Sequence, residues 1–350
     1  MPPQSDVQSP APGTTDNDRS SSRRMNVARP RSGPRLGRFT GVLLLALFVA
    51  VFSAWIPETF LTQATFKAIS GDQAITLVLA VGVLFTLATG QYDLSAAQNL
   101  GFSAVIDTEL MVHQHLAWPT ALLITLVLGA VVGALNGLFV AVIGVNSFIA
   151  TLGMSSVLLA LTEQISNNQF IGPVPTSFAD LASPTPLGVP IVAWYALGLC
   201  LLAWYVLEHS PMGRRLAATG ANADAARLAG VRTRHMIIGS FIVTGVISAL
   251  AGALVAAKIG QVSPSIGPPY LLPAFAACFL GTTQFKLGRF NVWGAVLALY
   301  LLATGVKGLQ LAGGQLWITD LFNGLALLGA VSVAVASQRR RRHRSPSRTA

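Results

Sequence analysis

Apolar residues in this chain gather into runs close to the ~20 residues that cross a bilayer as a helix. Seven such runs occupy residues 40 to 56, 74 to 90, 119 to 143, 189 to 207, 236 to 257, 291 to 306 and 315 to 337. Shorter or more polar candidates lie at 94 to 110, 147 to 163 and 270 to 284. The pattern predicts an all-α polytopic membrane protein with about ten transmembrane helices, held in one domain over residues 39 to 337. Composition agrees: of 350 residues 53% are hydrophobic and 10% charged, against roughly one-quarter charged in a soluble domain.

The net charge of +10 raises nucleic acid as a partner, but its distribution points elsewhere. Seven arginines from Arg19 to Arg38 precede the first run, five from Arg214 to Arg234 fill the loop after the sixth span, and six from Arg339 to Arg348 follow the last. With Lys286 and Arg289, these put 20 of the 23 Lys and Arg on one side of a ten-span chain, leaving Lys67, Lys258 and Lys307 for the other. The positive-inside bias makes both termini cytoplasmic, as an even span count also does. Residues 1 to 38, rich in Pro, Ser, Arg and Asp, read as a disordered basic tail, and 338 to 350 as a second basic tail. A secretory signal is the competing reading of the N-terminal region. The first run is long for one and lacks a small-x-small cleavage site, which favours a retained anchor.

Catalytic chemistry is hard to find. The dipeptide Gly-Lys never occurs, so the phosphate-cradling G-x-x-x-x-G-K-[ST] loop is absent, as are H-E-x-x-H and paired C-x-x-C. The five histidines fall in loops, ends or a tail, and Cys200 and Cys278 sit inside predicted spans as small core residues. No catalytic residue, metal site or cofactor is expected.

The longest polar internal segment is EHSPMGRRLAATGANADAARLAGVRTRH, residues 208 to 235. Asn222 is placed to cap a short helix through Ala223 to Ala229, Asp224 to complement its N-terminus, and Gly230 to supply a left-handed stop. A span connector needs only a few residues, so a folded loop of this length suggests a dock for a cytoplasmic partner. For the arginines alone, contact with anionic lipid explains as much.

Four stretches, in order, resemble the permease subunits of ribose-type bacterial ATP-binding cassette sugar importers. GQYDLS, residues 90 to 95, is similar to the family's Gly-Gly-x-Asp-Leu-Ser, and ALNGLFVAVIGVNSFIATLGM to its Asn-Gly-Leu and Phe-Ile-x-Thr-Leu-Gly segment. GRRLAATGANADAARLAGVRTRHM resembles the coupling segment, and GRFNVWGAVLALYLLATGVKGLQL the late glycine-rich span. The resemblance implies a bacterial cytoplasmic-membrane protein working with a second permease copy, a cytoplasmic ATPase and an extracytoplasmic binding protein. It also implies that Arg214, Arg215, Asn222, Ala226, Arg227 and Gly230 lie at the ATPase contact. Three departures bear on the solute: Gln91 replaces the second glycine of the family motif, YLLPAFAACFLG replaces an acidic stretch, and GTTQ ends at Gln284 where Gly-Gly-Thr-Ser is usual.

A polar solute needs polar groups along its path, and intramembrane polar residues are costly enough to suggest function. The candidates are Gln91, Asp93, Gln98, Asn99, Asn136, Asn146, Thr151, Gln284, Asp320 and Asn323, with Tyr92, Phe148, Phe275 and Trp317 as stacking surfaces. Asn136 serves packing or pathway equally well, the glycines of GAVVGALNG suit close helix contact, and Asp320 is placed to pair with Lys307. Asp93 is expected to cap a helix starting at Leu94, with Ser95 and Gln98 as a capping box one turn on. The alternative function is a proton-coupled secondary transporter using Asp93 or Asp320.

Overall fold

The computed structural model describes the backbone of residues 40–343 apart from Leu287 and Leu316, and side chains from Gly41 to Ser332 apart from those two. The expected tail at 1 to 38 lies outside the described residues, as do residues 344 to 350 of the second tail. Residues 338 to 343 continue the last helix.

Among the described residues the chain is helical, and one isolated bridge, between Ile171 and Val262, is the sole strand-like pairing. The order is α1 (Thr40–Trp55), α2 (Pro57–Phe60), α3 (Gln63–Ala88), α4 (Ala96–Val112), α5 (Trp118–Leu138), α6 (Ser147–Ser166) and α7 (Thr176–Ala179). It continues with α8 (Ile191–Trp204), α9 (Pro211–Ala221), α10 (Ala223–Leu228), α11 (Thr233–Ile259), α12 (Leu271–Gly281), α13 (Val292–Leu311) and α14 (Trp317–His343). Single π-helical turns, Phe139–Ile143 and Tyr205–His209, extend α5 and α8. Six helices (α3, α5, α6, α8, α11 and α13, with those extensions) are long and apolar enough to cross a membrane. Helices α1, α12 and α14 contribute shorter apolar stretches. The more polar run expected at 94 to 110 is helix α4, of 17 residues.

Helix α3 starts well before the apolar run at 74, because Lys67, Asp72 and Gln73 hide its first three turns from a hydropathy reading. Thr62 opens it, its hydroxyl accepting from the Thr65 N–H at 3.1 Å. The Asp72 carboxylate then meets Lys258 at the end of α11, 2.5 Å away. From Ala74 to Leu87 every residue of α3 is buried, as expected of a helix apolar all round and enclosed by others. Helices α3, α4 and α11 form the centre, whereas α5, α6 and α8 turn stripes such as Leu123, Val127, Val131 and Leu135 outward. Such faces suit lipid, the solvent that a membrane protein's periphery meets.

Without water to drive apolar faces together, helices in a membrane associate by close packing and hydrogen bonds. Gly129, Gly133 and Gly137 line one face of α5 and meet α11 backbone to backbone. A β-carbon on Gly133 would lie 2.2 Å from the Phe241 carbonyl oxygen, and one on Gly245 would lie 2.2 Å from that of Gly129. The GAVVGALNG glycines are thus helix contacts, as expected. Polar links add to the packing: Thr244 donates to the Gly82 carbonyl at 2.8 Å and the Asn99 amide to that of Gly245 at 3.1 Å. Cys200 and Cys278 are buried and unpaired.

Gly133→Ala is expected to destabilise by about 2–3 kcal/mol, since the obstructing atom is backbone that has no rotamer to yield. Thermal unfolding of the detergent-purified protein checks this. Gly153→Ala, where nothing lies within 4 Å of the added carbon, is the control expected to melt like the parent.

Candidate functional site

The chain turns sharply between α3 and α4. Gly90 takes φ +77°, a left-handed conformation that glycine adopts freely, and lets the Gln91 N–H return to the Thr86 carbonyl at 3.1 Å. Asp93 follows, buried, and its Oδ1 accepts from both the N–H (3.1 Å) and the hydroxyl (2.6 Å) of Ser95. That hydroxyl accepts in turn from the Asn136 amide at 2.8 Å, giving a relay Asn136 to Ser95 to Asp93 that ties α5 to the turn. Helix α4 therefore begins at Ala96, two residues later than expected. The capping box does not form because the Ser95 hydroxyl is engaged backward by Asp93.

Across from the turn, α5 ends in its π-helical turn and Gly144, at φ +86°, before Asn146 caps α6 by accepting from the Phe148 N–H at 2.9 Å. The two turns face one another. The Tyr92 N–H donates to Ser147 Oγ (3.1 Å) and the Leu94 N–H to Thr151 Oγ1 (3.0 Å). Between them lies a cavity of about 470 Å³, lined by Gly90, Gln91, Tyr92, Val140, Val145, Asn146, Ser147, Phe148 and Ile237. Its chemistry is two amides, hydroxyls and two half-exposed aromatic rings, without an ionisable carboxylate or ammonium group in the lining. Tyr92 also stacks on Phe279, centroids 6.3 Å apart, which holds its ring at the rim. Amides and hydroxyls matched to aromatic faces suit a small neutral solute with several hydroxyl groups. A larger cavity of about 640 Å³ among α1, α2, α3 and α13 is mostly apolar and offers little for such a solute.

The expected residues divide accordingly. Gln91 and Phe148, with Tyr92 and Asn146, line the cavity. Asp93, Asn136 and Thr151 stand behind it and hold its walls. Gln98 and Asn99 are buried on α4, away from the lining. Gln284 is not among the residues lining this cavity: its Oε1 accepts from the Gly41 N–H at 2.9 Å, fastening α1, and its amide donates to Thr283. Phe275 is buried in the core and Trp317 bonds to Gln315, so neither presents a face to the cavity. Asn323 lines a smaller cavity of about 220 Å³ that also includes Asp72 and Tyr270. Lys307 and Asp320 form no ion pair; Asp320 is exposed on the first turn of α14.

One feature escaped the residue-by-residue reading. Ser95, Asn99, Ser103 and Asp107 recur every fourth residue, so they share one face of α4, and all four are buried. Thr125 reaches Asp107 at 3.5 Å. Asp107 carries the signal that was available, a carboxylate inside a candidate span.

The segment after α8 folds into two helices. Ser210 caps α9, accepting from the Gly213 N–H at 3.2 Å, and Gly213, Leu216 and Thr219 form its buried face. This helix was not expected: its buried face carries a single large apolar residue, Leu216, too little to mark it in the sequence. That cap is present: Asn222 Oδ1 accepts from Asp224 and Ala225, both at 3.0 Å, and Gly230 takes φ +83° past the end of α10. Arg214, Arg215, Asn222, Arg227 and Gly230 are exposed, whereas Ala226 is 5% exposed and faces inward, holding α10 to its neighbours. Beside it Leu228 is 91% exposed.

These features are those of a multi-pass helical membrane protein with a polar cavity between helix ends. Residues 65–331 match the family described as branched-chain amino acid transport system / permease component, and the chain belongs to it. It is 32% identical over 289 residues, 83% of each chain, to the autoinducer 2 import system permease protein LsrC of Salmonella typhimurium. It is 26% identical over 290 residues, 83% of this chain and 89% of the relative, to the D-allose transport system permease protein AlsC of Escherichia coli. No solved structure matches the chain.

Asp93→Ala strands both donors of Ser95 and is expected to cost about 1–3 kcal/mol, seen as a lower yield and melting temperature. The ranking of competing solutes in uptake assays should be unchanged. A changed ranking with parental yield and stability contradicts this assignment.

Proposed function

We propose that this chain is the membrane subunit of a bacterial ATP-binding cassette importer for a sugar or similar small polyhydroxylated solute. A separate cytoplasmic ATPase drives it, an extracytoplasmic binding protein feeds it, and a second permease copy completes the pathway. The ten spans are α1, α3, α4, α5, α6, α8, α11, α12, α13 and α14, with both termini cytoplasmic and the α9–α10 segment on the cytoplasmic side. The concentration of arginine in that segment, with Lys286 and Arg289, supports this orientation. The relatives' names, autoinducer 2 and D-allose import, support a small polar solute, as do the amides and aromatic rims of the cavity.

The observation that carries the ATPase dock is Leu228. It stands 91% exposed on a short capped helix, between exposed Arg227 and Ala229, while Ala226 on the inward side of the same helix is buried. An apolar side chain held out on a short capped helix fits a partner's cleft as an anchor residue does. Arg214 and Arg215 on α9 and Arg227 on α10 are exposed in the same segment and supply positive charge for an acidic rim. For the proton-coupled alternative less is available: Asp93 is engaged by Ser95, and Asp320 is exposed on a terminal turn.

Leu228→Glu is expected to weaken ATPase binding by about tenfold or more, the scale of an interface anchor. Co-purification and ATP-driven uptake in reconstituted vesicles measure it. Accumulation of solute by the permease alone under a proton gradient contradicts the importer reading.

A further inference from the structure

We infer that Gly220 is the positioning residue that carries ATPase movement into the solute cavity, so that α9 acts as the lever while α10 serves as the dock. This rests on the importer reading above. The C-terminal end of α9 touches the end of α3 directly. A β-carbon on Gly220 would lie 2.3 Å from the Ala88 carbonyl oxygen and 3.0 Å from the Gly90 nitrogen, and one on Gly90 would lie 3.4 Å from the Gly220 Cα. Two glycines thus bring backbone against backbone at the residue that begins the cavity wall, since Gly90, Gln91 and Tyr92 all line it.

The contact is stiff on both sides. On the α9 side, Leu216 is fully buried and Thr219 is buried with its hydroxyl on the Arg215 carbonyl. Asn222 joins α9 to α10 without a linker, its N–H donating to Ala218 while its side chain caps α10. The two helices therefore move as one piece. On the other side, Thr89 is tied to the Thr86 carbonyl at 2.7 Å and its hydroxyl lies 3.3 Å from that of Ser240 on α11. Gly90 donates to the Leu87 carbonyl at 3.0 Å. Packed backbone has no rotamer with which to absorb a push, so a shift of α9 is passed to the peptide before Gln91. From there the bonds of Tyr92 to Ser147 and Leu94 to Thr151 carry it to the facing wall on α6. The rigid pair and the turn form a contiguous mechanical link between the dock and the cavity.

The test uses the complete transporter, with permease, ATPase and binding protein, in vesicles. Gly220→Ala is expected to assemble and hydrolyse ATP within about twofold of the parent while uptake falls roughly tenfold or more, within the usual range of site-to-site coupling. Gly153→Ala, with open space at the added carbon, should transport normally. Parental uptake by Gly220→Ala overturns the inference and leaves the dock intact. Failure of the parental complex to couple uptake to ATP overturns the importer reading itself. If Gly220→Ala does not assemble, hydrogen exchange in the parental complex decides. Amides of 88 to 95 must change protection together with those of 216 to 222 when ATP binds, and an unresponsive turn beside a responding α9 overturns the inference.

Discussion

Close approach of backbone to backbone at glycine is the constraint on which this structure depends. In lipid, apolar side chains gain little by leaving one apolar neighbour for another, so the helices are held by distance-sensitive attraction and by hydrogen bonds. Both require the axes to come near. The glycines at positions 129, 133 and 137 bring α5 onto α11, and Gly252 brings α11 onto the Leu100 carbonyl of α4. Once these three helices are seated, Asn136 reaches Ser95, Asn99 reaches Gly245, and the turn carrying Asp93 has a fixed place. The cavity is a consequence of that seating, since its walls are the two turns at which α3 and α5 stop.

Buried polarity in this molecule does two kinds of work. Asp93, Ser95, Asn136 and Thr151 spend their hydrogen-bonding capacity on protein and shape the cavity from behind. Gln91, Asn146 and the rings of Tyr92 and Phe148 line the space itself, with Asn146 Oδ1 also capping α6 through the Phe148 N–H. Gln91 stands where the ribose-type motif has its second glycine, so the residue that departs from the pattern is also one that lines the cavity.

Much of this was legible in the chain. Hydropathy alone marks long spans because lipid exposure tolerates few polar residues, and the cap at Asn222 with the stop at Gly230 reads directly from local backbone chemistry. What hydropathy marks weakly is any helix whose polar groups are buried against protein: it misses the first turns of α3 with Asp72, and it offers α4, with its four-residue repeat ending at Asp107, only as a more polar candidate. Burial against other helices removes the penalty that makes lipid-facing segments easy to recognise. Partner choice was beyond local reading as well. The Ser95 hydroxyl had two good local options, and only the arrival of Asn136 from α5, with Asp93 behind it, selects the one used. Ala226 and Gln284 are on suitable segments, but the side on which each faces is set by neighbours distant in sequence.

The bareness of Leu228 has a meaning for the life of the protein before assembly. In the importer we propose, a permease copy inserted without its ATPase would leave this apolar side chain uncovered among exposed arginines. Each unassembled copy would then differ from an assembled one by the feature that assembly covers, and that difference is available to whatever removes surplus subunits.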